Sequence, residues 1–375
     1  MKLSIEKNLL VNALQVITPL TDKSSSKPIL SNFLLEAKLK EGGGVVKLSA
    51  TDYEISISGE FPAKVEEPGV ACISARKVLE VCREFSSEEV RISSDEQLWV
   101  TLEGGPSRLR LPSVEVGLYP HLDPPELPNR FTMNSRELRQ CIELTTFAAM
   151  TNETRKNLMG VCLRLSNGNS TQWVATDGHR LAQVTREAKD VQGESPPEII
   201  VPRKAMMEML RVLEHHDEAV EVSFDERHLL MTAGKTLLMT RLIEGKFPNV
   251  EQVIPKDSDR TVLVNRERMI NALKIVSFMS QDKIKPVKMT LEPDLLRLES
   301  ERAEFGDVLD ELPVEYAGEN MKIGFNARYL LDVFSVIQQS PEVKMKLKGS
   351  LNPCLIEIPN DSGFLSVVMP LRIEW

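Results

Sequence analysis

The residues best suited to chemistry in this sequence lie together at Thr176-Asp177-Gly178-His179. A hydroxyl, a carboxylate and an imidazole could form a base-assisted nucleophile, with Thr176 as the attacking group of a hydrolase. His179 follows Asp177 by two residues with a flexible glycine between them, and this spacing is poor for a dyad that must be held rigidly. The chain also has no Gly-x-Ser-x-Gly nucleophile elbow. We therefore expect no catalytic residue.

A second candidate, Gly234-Lys235-Thr236, has the ending of a phosphate-binding loop. The complete motif needs a glycine at position 229, where this chain has Leu229. The flanking residues instead indicate a hairpin turn between two strands. We therefore expect the chain not to bind ATP itself and to need no cofactor.

A strand and a turn must position Thr176. Residues 173–176 are β-prone and alternate, and Asp177-Gly178 should end the strand, because Asp bonds to its own downstream backbone and Gly accepts a positive φ. The same Ala-Thr-Asp ending occurs at Thr51, and the two threonines are 125 positions apart in a chain of 375 residues. A third copy, at residues 298–300, is degenerate. These spacings predict a domain-length internal repeat.

Each third of the chain also predicts two amphipathic helices among short strands. The helices are expected to begin at capping residues or at a first-turn proline, near Asn8, Ser74, Asn134, Pro202, Asn265 and Asn326. In the second helix of each third, a carboxylate follows a cation by four residues, at Glu80, Glu208 and Asp332. The pattern predicts an α+β fold of three repeated domains, which we place at 1–127, 128–254 and 255–375.

The composition indicates an ordinary cytoplasmic globular protein. Apolar residues make up 42% of the chain, and five cysteines contain no Cys-x-x-Cys pair and no His at metal-ligand spacing, so we expect reduced thiols and no metal site. The first seven residues carry charges where a signal peptide would need an apolar run. No stretch of 18 uncharged apolar residues occurs, so no membrane span is expected.

The distribution of charge bears on nucleic-acid binding. The total of −9 argues against it, because phosphates attract basic faces. The six predicted helices, however, carry +5 together, which leaves −14 for the rest of the chain. This segregation has two interpretations: helix surfaces that simply favour Lys and Arg, or a phosphate-facing surface made of helices.

Four motifs in order resemble the bacterial DNA polymerase III beta subunit family, the DNA sliding clamps. They are Val174–Leu181, Gly245–Pro248, Ile323–Asn326 and Val367–Ile373. The resemblance implies three domains of the DNA-clamp fold, each with two helices packed on β-sheets, in a head-to-tail homodimeric ring. It implies a non-catalytic processivity factor that encircles duplex DNA without sequence specificity and tethers the replicative polymerase. Phosphate contacts without base contacts would permit such sliding.

The resemblance also implies a pocket between the second and third domains for short linear peptides. Its partners would be the DNA polymerase III alpha subunit, the clamp-loader complex, and other polymerases and repair proteins. Its walls, by matching positions, are Leu158, Thr176, Gly178, His179, Arg180, Leu181, Pro248, Val253, Val367, Val368, Met369, Pro370, Leu371 and Arg372. Apolar walls with few polar groups suit a peptide anchored by Leu or Phe. Without the resemblance, residues 367–371 would be interpreted as an edge strand.

Contacts with DNA and with a second subunit are implied in the same way. The DNA-binding residues would be Lys23, Asn152, Lys156, Asn157, Arg203, Lys204 and Lys283. The dimer interface would include Leu109 and Leu111 on one side, with Phe278 and Met279 on the other. Solvated charges and core packing are the alternatives for these residues.

Two positions depart from the family pattern, and one alternative function stays open. Gln252 stands where the family often has a basic residue, and the chain ends in Glu374-Trp375, whose indole we expect to cover part of the pocket rim. The alternative is a non-catalytic protein scaffold without DNA contact, which would share the pocket but would not be retained on DNA.

Overall fold

The protein is represented by a computed structural model, which describes residues 1–21, 27–40, 43–120, 124–152, 154–166, 169–193, 198–214, 216–278, 285–302 and 306–373. Six α-helices lie in this described part of the chain. They are α1 (Lys7–Ile17), α2 (Ala75–Glu84), α3 (Ser135–Thr146), α4 (Arg203–Leu213), α5 (Arg266–Ser277) and α6 (Ala327–Val336). Among the described residues, no helix combines the length and the apolar composition needed to cross a membrane.

Short strands make up most of the remaining regular structure. Up to residue 112 they are β1 (Lys2–Glu6), β2 (Asn32–Lys40), β3 (Gly43–Thr51), β4 (Ile55–Glu67), β5 (Gly69–Ser74), β6 (Glu89–Ser94), β7 (Trp99–Gly104) and β8 (Ser107–Pro112). Up to residue 241 they are β9 (Asn129–Asn134), β10 (Gly160–Ser166), β11 (Ser170–Thr176), β12 (Arg180–Glu187), β13 (Lys189–Gln192), β14 (Ile199–Pro202), β15 (Ala219–Phe224), β16 (His228–Ala233) and β17 (Thr236–Arg241). The others are β18 (Arg260–Asn265), β19 (Pro286–Glu292), β20 (Leu295–Arg302), β21 (Gly306–Pro313), β22 (Met321–Asn326), β23 (Glu342–Leu347), β24 (Cys354–Ile358) and β25 (Asp361–Val368).

The chain divides into two compact units. The first consists of Met1–Arg136, Lys189–Glu194 and Lys204–Leu242, and the second of Glu137–Ala188, Ser195–Arg203 and Ile243–Trp375. A 13-stranded antiparallel sheet that ends in β8 belongs to the first unit. The second unit contains an eight-stranded sheet, in which β12 pairs with β25, and a four-stranded sheet that ends in β21. The predicted α+β class is confirmed, while the three domain boundaries stay a prediction.

The local signals for helix starts are confirmed, with two corrections. α1 begins at Lys7, one residue before the expected Asn8, and Glu6 at its N-cap makes no side-chain capping hydrogen bond. Ser74, Asn265 and Asn326 each accept a hydrogen bond from a backbone N–H in the first turn of the helix that follows. Pro202 was expected in the first position of α4, but it is the last residue of β14 and the helix begins at Arg203. Pro202 still pairs with Gly160 as an edge-strand residue, where its missing N–H is tolerated.

The two Ala-Thr-Asp segments form the same turn. Thr51 Oγ1 donates to the carbonyl of Ile55 at 2.9 Å, and Thr176 Oγ1 donates to that of Arg180 at 2.7 Å. In both turns the following Asp carboxylate accepts two backbone N–H groups. The third residue of each turn has a positive φ, 76° at Tyr53 and 90° at Gly178. The sequence repeat is therefore also a repeat of backbone geometry.

The buried hydroxyl of Thr51 should contribute measurably to stability. Thr51→Val keeps the side-chain shape but removes the acceptor for the Tyr53 N–H, 3.0 Å away, and the donor to Ile55. We expect the free energy of unfolding to fall by about 1–3 kcal/mol, because buried polar groups lose their partners. The measurement is the urea unfolding midpoint. Thr101→Val, on β7, is the control, and an equal midpoint for both variants would contradict the assignment.

Candidate functional site

The residues that could have formed a nucleophile are used to build the turn. Thr176 Oγ1 accepts the Gly178 N–H at 3.1 Å in addition to its bond to Arg180. Asp177 Oδ1 accepts the N–H groups of His179 and Arg180, and its Oδ2 accepts from the Arg180 guanidinium at 3.1 Å. The His179 ring stacks against Tyr329, with ring centroids 6.1 Å apart. The hydroxyl and carboxylate therefore act as turn-forming groups.

A cavity of about 200 Å³ opens beside this turn, within the second compact unit. Four separate segments form it: residues 155–158, the turn at 176–181, the segment 248–253, and the end of β25 with Met369. Its lining consists of Arg155, Leu158, Thr176, Gly178, His179, Arg180, Leu181, Pro248, Asn249, Val250, Val253, Val367 and Met369. A core cluster that includes Cys162, Val174, Ile200 and Phe247 supports the apolar side of the lining. Burial raises the pKa of Cys162 to about 12, so this thiol packs as a neutral group.

Strand pairing brings the distant walls together. Leu181 on β12 lies opposite Val367 on β25, and the Met369 N–H donates to the His179 carbonyl at 2.9 Å. Ser366 Oγ donates to the Leu181 carbonyl at 2.7 Å. Because side chains alternate across a sheet, Val367 faces the cavity while Val368 lies on the opposite face and is fully buried.

Four of the predicted wall residues do not line this cavity. Besides Val368, they are Pro370, Leu371 and Arg372, which follow the end of β25. Leu371 is half-buried and donates its N–H to the Gly324 carbonyl at 2.8 Å, and Arg372 is exposed. Sequence reasoning missed Arg155, Asn249 and Val250 as lining residues. Asn249 and Val250 could have been found from the sequence, because they directly follow the Gly245–Pro248 motif.

The segment 243–250 lacks regular structure between its ends, yet polar contacts anchor it. Ile243 donates its N–H to the Ile200 carbonyl at 2.9 Å, and Asn157 Nδ2 donates to the Lys246 carbonyl at 2.8 Å. The Phe247 N–H donates to Glu198 Oε1 at 3.0 Å. Glu198 Oε2 in turn accepts from Arg164 at 3.1 and 3.0 Å. These contacts place Pro248 and Val250 in the cavity wall.

The proposed DNA-binding residues have mixed surroundings. Asn152, Lys156 and Arg203 are exposed, whereas the Asn157 amide is used in the contact to Lys246. The Lys204 ammonium forms an ion pair with Asp52, in the turn that contains Thr51. Lys23 and Lys283 lie outside the described residues. Arg203 and Lys204, both in the first turn of α4, therefore differ: Arg203 has no ion-pair partner among the described residues, and Lys204 is paired.

The proposed dimer residues are placed as follows. Leu109 is half-buried and Leu111 is buried on β8, the edge strand of the 13-stranded sheet. Phe278, directly after α5, is 83% exposed, which is unusual for an aromatic side chain that has no partner surface. Met279 and the Glu374-Trp375 extension lie outside the described residues, so the proposed cover of the pocket rim stays a hypothesis.

These features define a class of protein with repeated α+β units and a small, largely apolar cavity. Family models of the DNA polymerase III beta subunit match most of the chain: the N-terminal domain at residues 1–123, the central domain at 132–249 and the C-terminal domain at 251–372. The beta sliding clamp of Caulobacter vibrioides is 33% identical and that of Pseudomonas aeruginosa 29%, each over the full length of both chains.

Solved structures agree with these matches. A sliding clamp (DNA polymerase III subunit beta) from Bartonella birtlesii, crystallised with griselimycin, superposes with a TM-score of 0.92 at 30% identity and full coverage of both chains. The pol III beta protein of Caulobacter crescentus has a TM-score of 0.89 at 33% identity, again over both full chains. The chain belongs to the DNA polymerase III beta subunit family, the beta sliding clamps.

Removal of the Glu198 carboxylate should loosen the pocket wall. Glu198→Ala leaves the Phe247 N–H without its acceptor, and we expect amide exchange across residues 243–250 to speed up by about tenfold. Hydrogen–deuterium exchange with mass spectrometry measures this directly. Glu187→Ala, an exposed carboxylate at the end of β12, is the control. Unchanged exchange at 243–250 in Glu198→Ala would show that Glu198 does not hold the segment.

Proposed function

We propose that this chain is a DNA sliding clamp: a non-catalytic processivity subunit that encircles duplex DNA and tethers the replicative polymerase in the cytoplasm. Membership of the beta subunit family over the full chain is the observation that carries the proposal. The three domains would be 1–127, 128–254 and 255–375, with helices of each facing the duplex. The use of Thr176 and Asp177 in turn formation supports the absence of a catalytic role.

The pocket beside the turn would receive short linear peptides. Leu158, Leu181, Val253, Val367 and Met369 supply apolar surface for a Leu or Phe anchor, and Met369 is 38% exposed and adaptable in shape. Polar groups at the rim would fix the peptide backbone. The partners would be the DNA polymerase III alpha subunit, the clamp loader, and other polymerases and repair proteins that carry such motifs.

Two edge strands support a head-to-tail homodimer. β8 ends one sheet and carries Arg108 and Arg110, whereas β21 ends another and carries Asp307, Asp310 and Glu311. An unpaired edge strand invites pairing with another chain, so β8 of one subunit would pair with β21 of the next. Opposite charges would favour this choice by exchanging their present ion-pair partners within the chain. Leu309 on β21 is 51% exposed, and α5, which ends just before the exposed Phe278, is joined to β21 by the ion pair between Arg268 and Asp310. Apolar contact would therefore accompany the charges. Two such interfaces would close a ring.

Contacts with DNA would be made to phosphates alone. The predicted helices carry +5 while the rest of the chain carries −14, which suits a weakly basic lining inside an acidic exterior. Arg203, Lys156 and Asn152 are exposed and available for such contacts. Lys23 and Lys283, which lie outside the described residues, would join them. Lys204 would contribute its charge from within its ion pair with Asp52. The scaffold alternative, without DNA contact, is not favoured by the family match.

Topological retention tests the ring. After loading by a clamp loader with ATP, the wild type should stay on nicked circular plasmid during gel filtration and be released when the plasmid is linearised. Phe278→Asp should sediment as a monomer and lose at least about tenfold in retention, because a charge in an apolar interface is costly.

The control for this experiment is Leu351→Asp, a similarly exposed residue on the loop between β23 and β24, which should remain dimeric and retained. Equal retention of the wild type on linear and circular DNA would reject encirclement. A dimeric Phe278→Asp would reject the interface assignment while leaving the clamp function in place.

Truncation of Met369 tests the pocket. With a fluorescein-labelled synthetic hexapeptide ending in Leu-Phe as the probe, Met369→Ala should weaken binding by about tenfold, as for other truncated anchor contacts. Fluorescence anisotropy gives the dissociation constant, and Leu351→Ala is the control. Equal affinity in both variants would place the peptide site elsewhere.

A further inference from the structure

We infer that Asp332 on α6 is a positioning residue for the peptide pocket and that it acts through Arg180. The inference rests on the proposed peptide-binding function of the cavity. Asp332 is not part of the cavity lining, whereas Arg180 is. Asp332 Oδ2 accepts a hydrogen bond from Arg180 Nη1 at 2.6 Å and forms an ion pair with it.

Arg180 is a buried charge whose position depends on its partners. Its side chain is 9% exposed, so the guanidinium must be paired where it lies. Each of its nitrogens has a partner: Nε donates to Asp177 at 3.1 Å, Nη1 to Asp332 at 2.6 Å, and Nη2 to the Phe147 carbonyl at 2.7 Å. The fork of a guanidinium fixes both direction and distance when all three positions are occupied.

Of these three partners, Asp332 is the charged one that lies outside the turn, on α6. Asp177 belongs to the same turn as Arg180 and moves with it, since its Oδ1 accepts the Arg180 N–H. Phe147 contributes a neutral carbonyl, just beyond the end of α3. Among the described residues, the pair with Asp332 is therefore the ion pair that ties the turn to a helix outside it.

The same helix contacts the turn at a second point. Tyr329 lies three residues before Asp332, on the same face of α6. Its ring stacks with His179 and lies 4.8 Å from the Arg180 guanidinium carbon. His179, Arg180 and the adjacent Gly178 and Leu181 all line the cavity. Fixing Arg180 to α6 therefore fixes the shape of this wall.

The earlier copy of the turn is joined to a helix by a different ion pair, between Asp52 and Lys204 of α4. The residues equivalent to Asp332 are Glu80, which pairs with Arg76 in its own helix at 2.8 Å, and Glu208, which pairs with Arg211 in its own helix. Glu208 is buried, and its Oε2 has no hydrogen-bond partner among the described residues. In the earlier turn, Ile55 occupies the position of Arg180, so no guanidinium is present there.

Peptide affinity measures the effect. With the same labelled hexapeptide ending in Leu-Phe, Asp332→Asn should bind about tenfold more weakly than the wild type, which is within the range for directly coupled residues. Asp332→Glu, which keeps the carboxylate, should recover affinity to within about threefold of the wild type. The repeat-equivalent control, Glu80→Gln, should leave the affinity unchanged.

A second background separates positioning from general structural damage. In Arg180→Met, the further change Asp332→Asn should alter the affinity by less than about twofold, because Asp332 has no guanidinium left to hold. The double variant and each single variant are also sedimented, and each should stay dimeric like the wild type, because none of these residues lies at the proposed dimer interface.

The outcomes distinguish the inference from the function on which it rests. If the wild type binds the peptide and Asp332→Asn binds equally well, the inference is overturned while the pocket stands. The inference is also overturned if Asp332→Asn weakens peptide affinity by the same factor in the Arg180→Met background as in the wild type. If the wild type does not bind the peptide at all, the proposed pocket function fails and the inference fails with it.

Discussion

The pairing of β12 with β25 is the interaction on which the candidate site depends. It joins residues about 185 positions apart, as in the bond from Ser366 to the Leu181 carbonyl. Without this ladder, the turn after β11 and the end of β25 would be separate surface loops. The ladder also decides which side chains reach the cavity, because the alternation along β25 directs Val367 inward and Val368 to the opposite face. Non-local backbone pairing therefore creates the pocket, and local side-chain chemistry refines it.

Local signals in the sequence identified most of the elements. Capping residues such as Ser74 and Asn265 indicated where helices begin, because their side-chain oxygens accept a free backbone N–H of the first turn. This interaction involves only a few neighbouring residues, so it can be recognised in the sequence. Pro202 was placed one residue too far into the helix, because its fixed φ also suits the last position of an edge strand. The Thr-Asp turn was recognisable in both copies, since all of its hydrogen bonds are made within five residues.

The contacts that position the site could not be predicted in the same way. Neither the spacing of Glu198 from Phe247 nor that of Asp332 from Arg180 carries a periodic signal, because each pair meets only through the packing of distant elements. Lys204 shows a second limit of local signals. A lysine in the first turn of a basic helix favours a solvated charge that faces phosphates, yet its ammonium pairs with Asp52 of the earlier turn. Composition predicts the net charge of a surface, but tertiary contacts decide which charges are available.

The third position of the repeated turn carries a side chain in one copy, Tyr53, and none in the other, Gly178. Tyr53 holds φ at 76° with a full aromatic side chain, so this backbone does not require glycine. At Gly178 an added Cβ would meet no other atom within 4 Å, which means that the space above the turn is empty. The missing side chain leaves the mouth of the cavity clear. A ligand that entered over position 178 would have no rotamer to displace there, so this side of the entrance would not slow its encounter with the cavity.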